Sequence, residues 1–143
     1  MPKVTKEEID ALCERELPFA KALGITVEEL GRGMVVVRLP YKSDLLRPGG
    51  TISGPAMMGL ADFTVFVAVL SLIGPVAMAV TTSLTCNFLQ RPGQGDLLAH
   101  GRILKMGKRL AYGDVEIFSE AEQGEGPVAH ATATYSIPPQ ETA

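Results

Sequence analysis

The chain has 143 residues, of which 46% are hydrophobic and 20% charged, so it can build the core of one domain. Its net charge of −3 argues against a nucleic-acid-binding protein, because such proteins are normally basic. Cys13 and Cys86 match no metal-binding or redox spacing, and the polar N-terminus lacks a signal-peptide pattern. These features favour a cytoplasmic protein with free thiols, no metal and no cofactor.

The N-terminal part of the chain is predicted to be a helical segment over residues 5–23. Thr5 is a suitable N-cap for a helix over residues 6–16, and Gly24 is suited to end a second short helix over residues 19–23. Since this segment is too short for a helix-turn-helix unit and its linker, it argues against a transcriptional regulator.

A strand pair is predicted next. Residues 25–30 and 34–39 have strand-like composition and are separated by the turn at residues 31–33, so they can form a hairpin. Residues 41–50 are rich in turn formers and are predicted to be a loop.

A long apolar helix is predicted after this loop. Ser53 or Gly54 can cap it, Pro55 fits its first turn, and Gly74 stops it, which gives about 20 residues and about 30 Å. The apolar run over residues 63–80 approaches the minimum length of a membrane span. It lacks flanking Lys and Arg anchors, however, so a buried helix is the favoured interpretation.

One carboxylate, that of Asp62, lies inside this apolar helix. Burying an uncompensated carboxylate among apolar side chains costs several kcal/mol. Such a residue is therefore a candidate for a functional site, with an ordinary structural hydrogen-bond acceptor as the alternative.

The rest of the chain is predicted to form four strands, over residues 77–89, 96–106, 111–119 and 128–137. The connections at residues 92–95 and 107–109 are of hairpin type, and residues 138–143 are predicted to be a frayed tail. An antiparallel sheet must bury its apolar face, and the long helix is the available partner. The prediction is one α+β domain over residues 1–143 with the sheet wrapped around one central helix.

Six motifs in this order resemble the hotdog-fold acyl-CoA thioesterases of the phenylacetate-pathway type. They are GTISG at residues 50–54, LAD at 60–62, AVTTSL at 79–84, NFLQRP at 87–92, GKRLA at 107–111 and AHATATY at 129–135. The resemblance covers residues 19–137. It implies the hotdog fold and a homodimer or dimer of dimers, with two active sites at the dimer interface.

The resemblance also implies the catalytic residues. The family's carboxylate, which acts as nucleophile or as general base, falls on Asp62. Its oxyanion donor falls on the backbone N–H of Gly54, and a hydroxyl that orients the water falls on Thr81 or Thr82. A helix N-terminus suits this role because its free N–H groups and partial positive charge favour a developing oxyanion.

The chain departs from the family at two positions. Family members often have His-Gly-Gly where this chain has Ser53, Gly54 and Pro55, and Pro55 has no N–H to donate. An amide commonly stands where this chain has Arg47, which cannot accept a hydrogen bond but can pair with Asp62 or with a substrate phosphate. Ser53 is included among the catalytic candidates, although the role of a plain N-cap is favoured over that of a nucleophile.

Coenzyme A is expected as part of the substrate. Lys108 and Arg109 are candidates to bind its phosphates, and Arg91, Gly107 and Phe88 complete the predicted binding set. A solvated turn between strands is the alternative interpretation of the basic residues.

The predicted function is hydrolysis of an acyl-CoA thioester to a free acid and coenzyme A. The departures at Arg47 and Pro55 motivate a second hypothesis, a non-catalytic acyl-CoA-binding protein. A hydratase of the same fold is disfavoured because it needs a histidine in the site, and the helix region has none. Neither a nucleic acid nor a membrane is expected as a partner.

Overall fold

The structure is a computed structural model that describes residues 1–139. The predicted tail lies outside the described residues from position 140 onwards. The described helices and strands are α1 (Lys6–Glu16), α2 (Pro18–Leu23), β1 (Thr26–Leu30), β2 (Met34–Leu39), β3 (Leu46–Arg47), β4 (Thr51–Ile52), α3 (Gly54–Ile73), β5 (Val80–Phe88), β6 (Leu97–Met106), β7 (Leu110–Ser119) and β8 (Ala129–Ser136).

The two N-terminal helices form where the sequence predicts them. Thr5 caps α1 in a capping box with Glu8, in which each side chain bonds the other residue's backbone N–H. Gly24 ends α2 in the left-handed conformation, with φ of 73°, which a glycine adopts without steric cost.

One antiparallel sheet contains the six longer strands in the order β1-β2-β6-β7-β8-β5. The predicted hairpin connections at residues 31–33 and 107–109 are confirmed. The prediction of a hairpin at residues 92–95 is wrong, because β6 pairs with β2 and β7 while β5 pairs with β8. These residues belong instead to a crossover that carries the chain from one edge strand back into the sheet.

The loop predicted over residues 41–50 contains regular structure that its turn-forming residues do not predict. A short 3₁₀ turn covers Ser43–Leu45, and β3 pairs with β4 as a two-residue ribbon. Ser53 N–H donates to the Leu45 carbonyl at 2.8 Å, so this segment sets the position at which α3 begins.

The sheet packs around α3, which contacts β2, β5, β6, β7 and β8. Small residues on the inner face let the helix lie close to the sheet. A Cβ added at Gly101 of β6 would lie 2.5 Å from Thr64 Cγ2 of α3, a distance that no real Cβ contact allows. The helix and the inner sheet face thus form the core, and the prediction of an α+β hotdog fold is confirmed.

By length and composition α3 could cross a membrane, with a mean hydropathy of 2.1 over 18 residues. In the fold, 72% of that window is buried against the rest of the protein. Its apolar character is therefore accounted for by the core of this domain.

Candidate active site

The Asp62 carboxylate is held by two hydroxyl groups from the sheet. Thr81 Oγ1 of β5 and the Tyr135 hydroxyl of β8 each donate to Asp62 Oδ1 at 2.7 Å. The Tyr135 hydroxyl also lies 2.9 Å from the backbone carbonyl oxygen of Asp62. These contacts compensate a carboxylate that the apolar helix would otherwise leave without partners.

A β-bulge in β5 selects Thr81 over Thr82 as the partner of Asp62. The pairing with β8 shifts between Thr81 and Ser83, so Thr82 is an extra residue in the strand. Thr81 therefore points to the helix, whereas the exposed Thr82 donates to the Thr134 carbonyl at 3.2 Å.

Burial and the negative charge of Asp62 both raise the pKa of the Tyr135 phenol well above its usual value. Only 3% of the residue's surface is exposed, and its ring centroid lies 6.0 Å from that of Phe66. The phenol is thus a neutral, firmly packed donor. No role is predicted for Tyr135 from the sequence, although this residue ends the last of the six family motifs.

A cavity of about 280 Å³ opens beside Asp62, Thr81 and Tyr135. Its walls are mainly apolar side chains of α2, α3 and the segment before β5, including Phe19, Phe63, Phe66, Ala77 and Ala79. Phe19 lies against Gly59 of α3, where an added Cβ would approach the ring to 2.9 Å. The carboxylate therefore stands at the edge of an apolar cavity that can hold an uncharged organic group.

A larger cavity of about 520 Å³ lies on the outer face of the sheet. It is lined by Asp114, whose carboxylate accepts from Arg102 at 2.9 Å and lies 3.1 Å from His130 Nε2. Burial acts to raise the pKa of Asp114, but its hydrogen bonds with His130 and Arg102 outweigh burial and lower it. Asp62 lies on the other face, so this cluster is separate from the candidate site.

The N-terminus of α3 presents a free backbone donor. Ser53 is the N-cap, and its hydroxyl accepts from Ala56 N–H at 3.4 Å. Within residues 1–139 the Gly54 N–H has no hydrogen-bond partner, as expected for the first residue of a helix. The half-exposed Phe88 ring lies beside it, 3.3 Å from the position of a Cβ at Gly54.

Gly54 and Asp62 are too far apart to act on one carbonyl group within a single chain. They are separated by eight residues of α3, which is about 12 Å along the helix axis. An oxyanion donor and the attacking group must both lie within about 3 Å of the reacting atoms. The two predicted catalytic groups of one chain therefore lie in separate places, named the Asp62 half-site and the Gly54 half-site.

The basic candidates divide between the two half-sites. Lys108 and Arg109 lie in the β6–β7 turn, at the sheet end that carries Tyr135 and Thr81, and Arg109 Nε donates to the Ile137 carbonyl at 3.2 Å. Gly107 closes that turn through its N–H, which donates to the Leu110 carbonyl at 2.8 Å.

Arg91 follows β5, at the end that carries Phe88, and Arg47 lies in β3 shortly before α3. The exposed Arg47 side chain has no hydrogen bond or ion pair within the part of the chain that the structure describes. It does not pair with Asp62 of its own chain. Across the same described residues, no group of three His, Cys, Asp or Glu side chains is arranged to hold a metal ion.

Comparisons with known proteins agree with this fold. The family model described as the thioesterase superfamily matches residues 49–125, a segment that includes Asp62, Gly54 and Thr81. The chain belongs to the thioesterase superfamily. This membership supports a thioesterase-like hydrolase.

The similar proteins extend over most of the chain. A protein of Saccharolobus solfataricus named "Putative esterase" is 31% identical over 114 residues, covering 80% of each chain. A structure of a putative thioesterase from Silicibacter sp. is 41% identical with a TM-score of 0.85, covering 97% of this chain and 95% of the other. The phenylacetic acid degradation protein PaaI of Thermus thermophilus is 30% identical, with a TM-score of 0.73 and coverages of 85% and 99%. The chain is thus a hotdog-fold thioesterase of the PaaI type.

Proposed function

We propose that this protein hydrolyses acyl-CoA thioesters at two active sites, each formed between two copies of the chain. The observation that carries the proposal is the Asp62 carboxylate, fixed by two hydroxyl groups at the edge of an apolar cavity. A carboxylate in this position can attack a thioester or activate water, while the cavity takes the acyl group.

The free edge of β5 supports the pairing of two copies. This strand is nine residues long, lies at the edge of the sheet and exposes Val80 and Phe88. Thr81 at one end belongs to the Asp62 half-site, and Phe88 at the other end to the Gly54 half-site, about 23 Å away. Antiparallel pairing of β5 with its copy, centred near Leu84, would bring each Asp62 to the partner's Gly54 half-site.

Two balanced routes are available to the paired site. As general base, Asp62 takes a proton from water while the water oxygen bonds the thioester carbon and the carbonyl electron pair moves to oxygen. The Gly54 N–H from the other copy stabilises that oxyanion. The C–S bond then breaks, sulfur keeps its electron pair and receives the proton, and the products are the acid and the thiol.

As nucleophile, Asp62 bonds the thioester carbon directly and expels the thiolate, which leaves a mixed anhydride. Water then attacks the anhydride, and the Asp62 carboxylate is restored. One proton of the water goes to the thiolate and the hydroxyl group remains on the acid. Both routes consume one water and need the same two half-sites.

The basic residues are suited to hold coenzyme A. Pairing through β5 would place Lys108 and Arg109 of one copy near the end of β5 of the other copy, where Arg91 lies. Cationic side chains form strong, charge-assisted hydrogen bonds with phosphates. We propose that this basic group binds the phosphates while Phe88 lies against the neighbouring part of the ligand.

The test is a panel of short, long and aromatic acyl-CoA thioesters, with free thiol release followed for wild type and Asp62→Asn. We expect turnover by the wild type and a loss of at least about 100-fold in the variant, because the amide is neither a base nor an effective nucleophile. An unchanged melting temperature would show that the variant is folded.

Wild-type turnover by Asp62→Asn would refute the role of this carboxylate. If wild type hydrolyses no thioester but acyl-CoA raises its melting temperature, the protein is a binder and the hydrolytic proposal is wrong.

A further inference from the structure

The two hydroxyl groups at Asp62 converge on one of its two carboxylate oxygens. Thr81 and Tyr135 both reach Oδ1 at 2.7 Å. Within residues 1–139 no hydrogen bond reaches Oδ2, and Oδ2 is not among the buried side-chain atoms without a partner. Since Asp62 lines the cavity, Oδ2 is the oxygen that remains accessible.

The Tyr135 hydroxyl also connects the carboxylate to the helix backbone. It lies 2.7 Å from Oδ1 and 2.9 Å from the Asp62 carbonyl oxygen, so a single phenol touches both ends of the residue. A phenol has one proton, and a neutral phenol donates it. Burial raises the pKa of this phenol, which therefore keeps its proton across the working range of pH.

The position of the phenol is itself fixed by packing. Tyr135 is nearly fully buried, and its ring lies beside Phe66 of α3, one turn after Asp62. The strand pairing places Tyr135 directly opposite Thr81, so the two donors approach Oδ1 from neighbouring strands. Together they leave the carboxylate little freedom to rotate about its terminal bond.

We infer that Tyr135 is a positioning residue, which with Thr81 holds Asp62 Oδ1 so that Oδ2 is the oxygen that reacts. The inference rests on the proposed thioesterase function. Tyr135 does not touch the substrate's reacting atoms in this arrangement, and it acts through the orientation of the carboxylate. Correct orientation of a reacting group supplies a large part of enzymatic rate enhancement, and it is lost when the group can rotate.

The first experiment compares Tyr135→Phe with wild type on the thioester that the wild type hydrolyses best. The variant keeps the buried ring and removes only the hydroxyl. We expect kcat to fall about 10- to 100-fold with KM changed less than about twofold, because the lost contact orients the carboxylate and does not bind substrate. Tyr112→Phe is the matched control, since Tyr112 lies on the outer face of β7, and it should keep the wild-type kcat.

A second experiment asks whether the two hydroxyls act on the same oxygen. Thr81→Val removes the other donor at nearly constant shape, and Thr81→Ser keeps it. We expect Thr81→Ser to retain most of kcat, and Thr81→Val with Tyr135→Phe to lose less than the product of the two single losses, because either change alone already frees the carboxylate to rotate. Losses that simply multiply would show independent action and would overturn the inference.

The remaining outcomes separate this inference from the proposed function. If Asp62→Asn is inactive while folded Tyr135→Phe has wild-type kcat, Tyr135 is not a positioning residue and the thioesterase proposal stands. If Asp62→Asn keeps its turnover, the proposed role of the carboxylate fails first. If Tyr135→Phe does not fold, the kcat of Thr81→Val tests the inference. An unchanged kcat in that variant would contradict the positioning of Asp62 Oδ1.

Discussion

At the scale of single residues, Arg47 is the departure from the family whose role can be tested most directly. It is exposed and unpaired within residues 1–139, seven positions before Gly54. We predict that Arg47→Gln raises KM for acyl-CoA about fivefold, the scale of an exposed ion pair, and leaves kcat unchanged. In steady-state assays the same substitution should leave KM unchanged for an N-acetylcysteamine thioester, because this substrate has no phosphate.

The control for this prediction is Arg32→Gln, which removes another exposed arginine in the turn between β1 and β2. It should leave KM for both substrates unchanged. If Arg47→Gln raised KM equally for both thioesters, Arg47 would act on the thioester group and not on a phosphate.

The residues of the candidate site differ in how far the sequence could predict them. Asp62 was predictable as a candidate functional residue because a lone carboxylate in an apolar helix is energetically costly unless it is compensated. Tyr135 was not, since it is 73 positions away from Asp62 and stands in a strand whose alternation suits an ordinary core residue. Only the fold brings its hydroxyl to the carboxylate.

At the scale of elements, the Asp96 side chain links the start of β6 to β2 and to the loop that follows β2. Its carboxylate accepts from Tyr41 N–H at 2.7 Å and from Arg38 Nη1 at 2.8 Å. The Tyr41 hydrogen bond, followed by those with Arg38, lowers the pKa of Asp96 although its partial burial opposes this. A lower pKa in the folded state means that Asp96 stabilises the fold above its unfolded pKa of about 3.9.

This stabilisation is lost as the pH falls through the folded pKa of Asp96. We therefore predict that Asp96→Asn lowers the urea midpoint at pH 7, and that the difference from wild type shrinks towards zero below about pH 4. The control is Asp10→Asn, an exposed carboxylate of α1 with no side-chain hydrogen bond among the described residues. A difference for Asp96→Asn that stayed constant as the pH fell from about 5 to about 2.5 would contradict the prediction.

Strand positions were easier to predict than strand partners. Alternation and turn residues placed β6, β7 and β8 within one residue at each end, because these signals are local. The pairing of β5 is not local, since a crossover returns the chain to the middle of the sheet. The bulge in β5 was also not predictable from the sequence pattern. Residues seven positions apart in a regular strand face opposite sides, and the bulge allows Thr81 and Phe88 both to face the helix.

At the scale of the whole molecule, the fold was predictable because one long apolar helix among amphipathic strands has few ways to be buried. The placing of each active site between two copies was expected from the family resemblance, and the distance between Gly54 and Asp62 along α3 supports it. If each active site combines Asp62 of one copy with Gly54 of the other, a dimer that contains one copy of each of two inactive variants should regain activity.

The decisive variants are Asp62→Asn and Gly54→Pro. Gly54→Pro removes the backbone N–H of the first residue of α3, a helix position that tolerates proline. Ser53, the residue before it, already has the extended conformation that a residue before proline adopts. We predict that each variant alone is inactive, and that a tagged and purified heterodimer regains about half of the wild-type kcat, since one of its two sites is intact. Gly54→Ala, which keeps the N–H, is the control for the added bulk beside Phe88. Folded heterodimers with no activity would place Asp62 and its oxyanion donor in the same chain and would exclude the shared site.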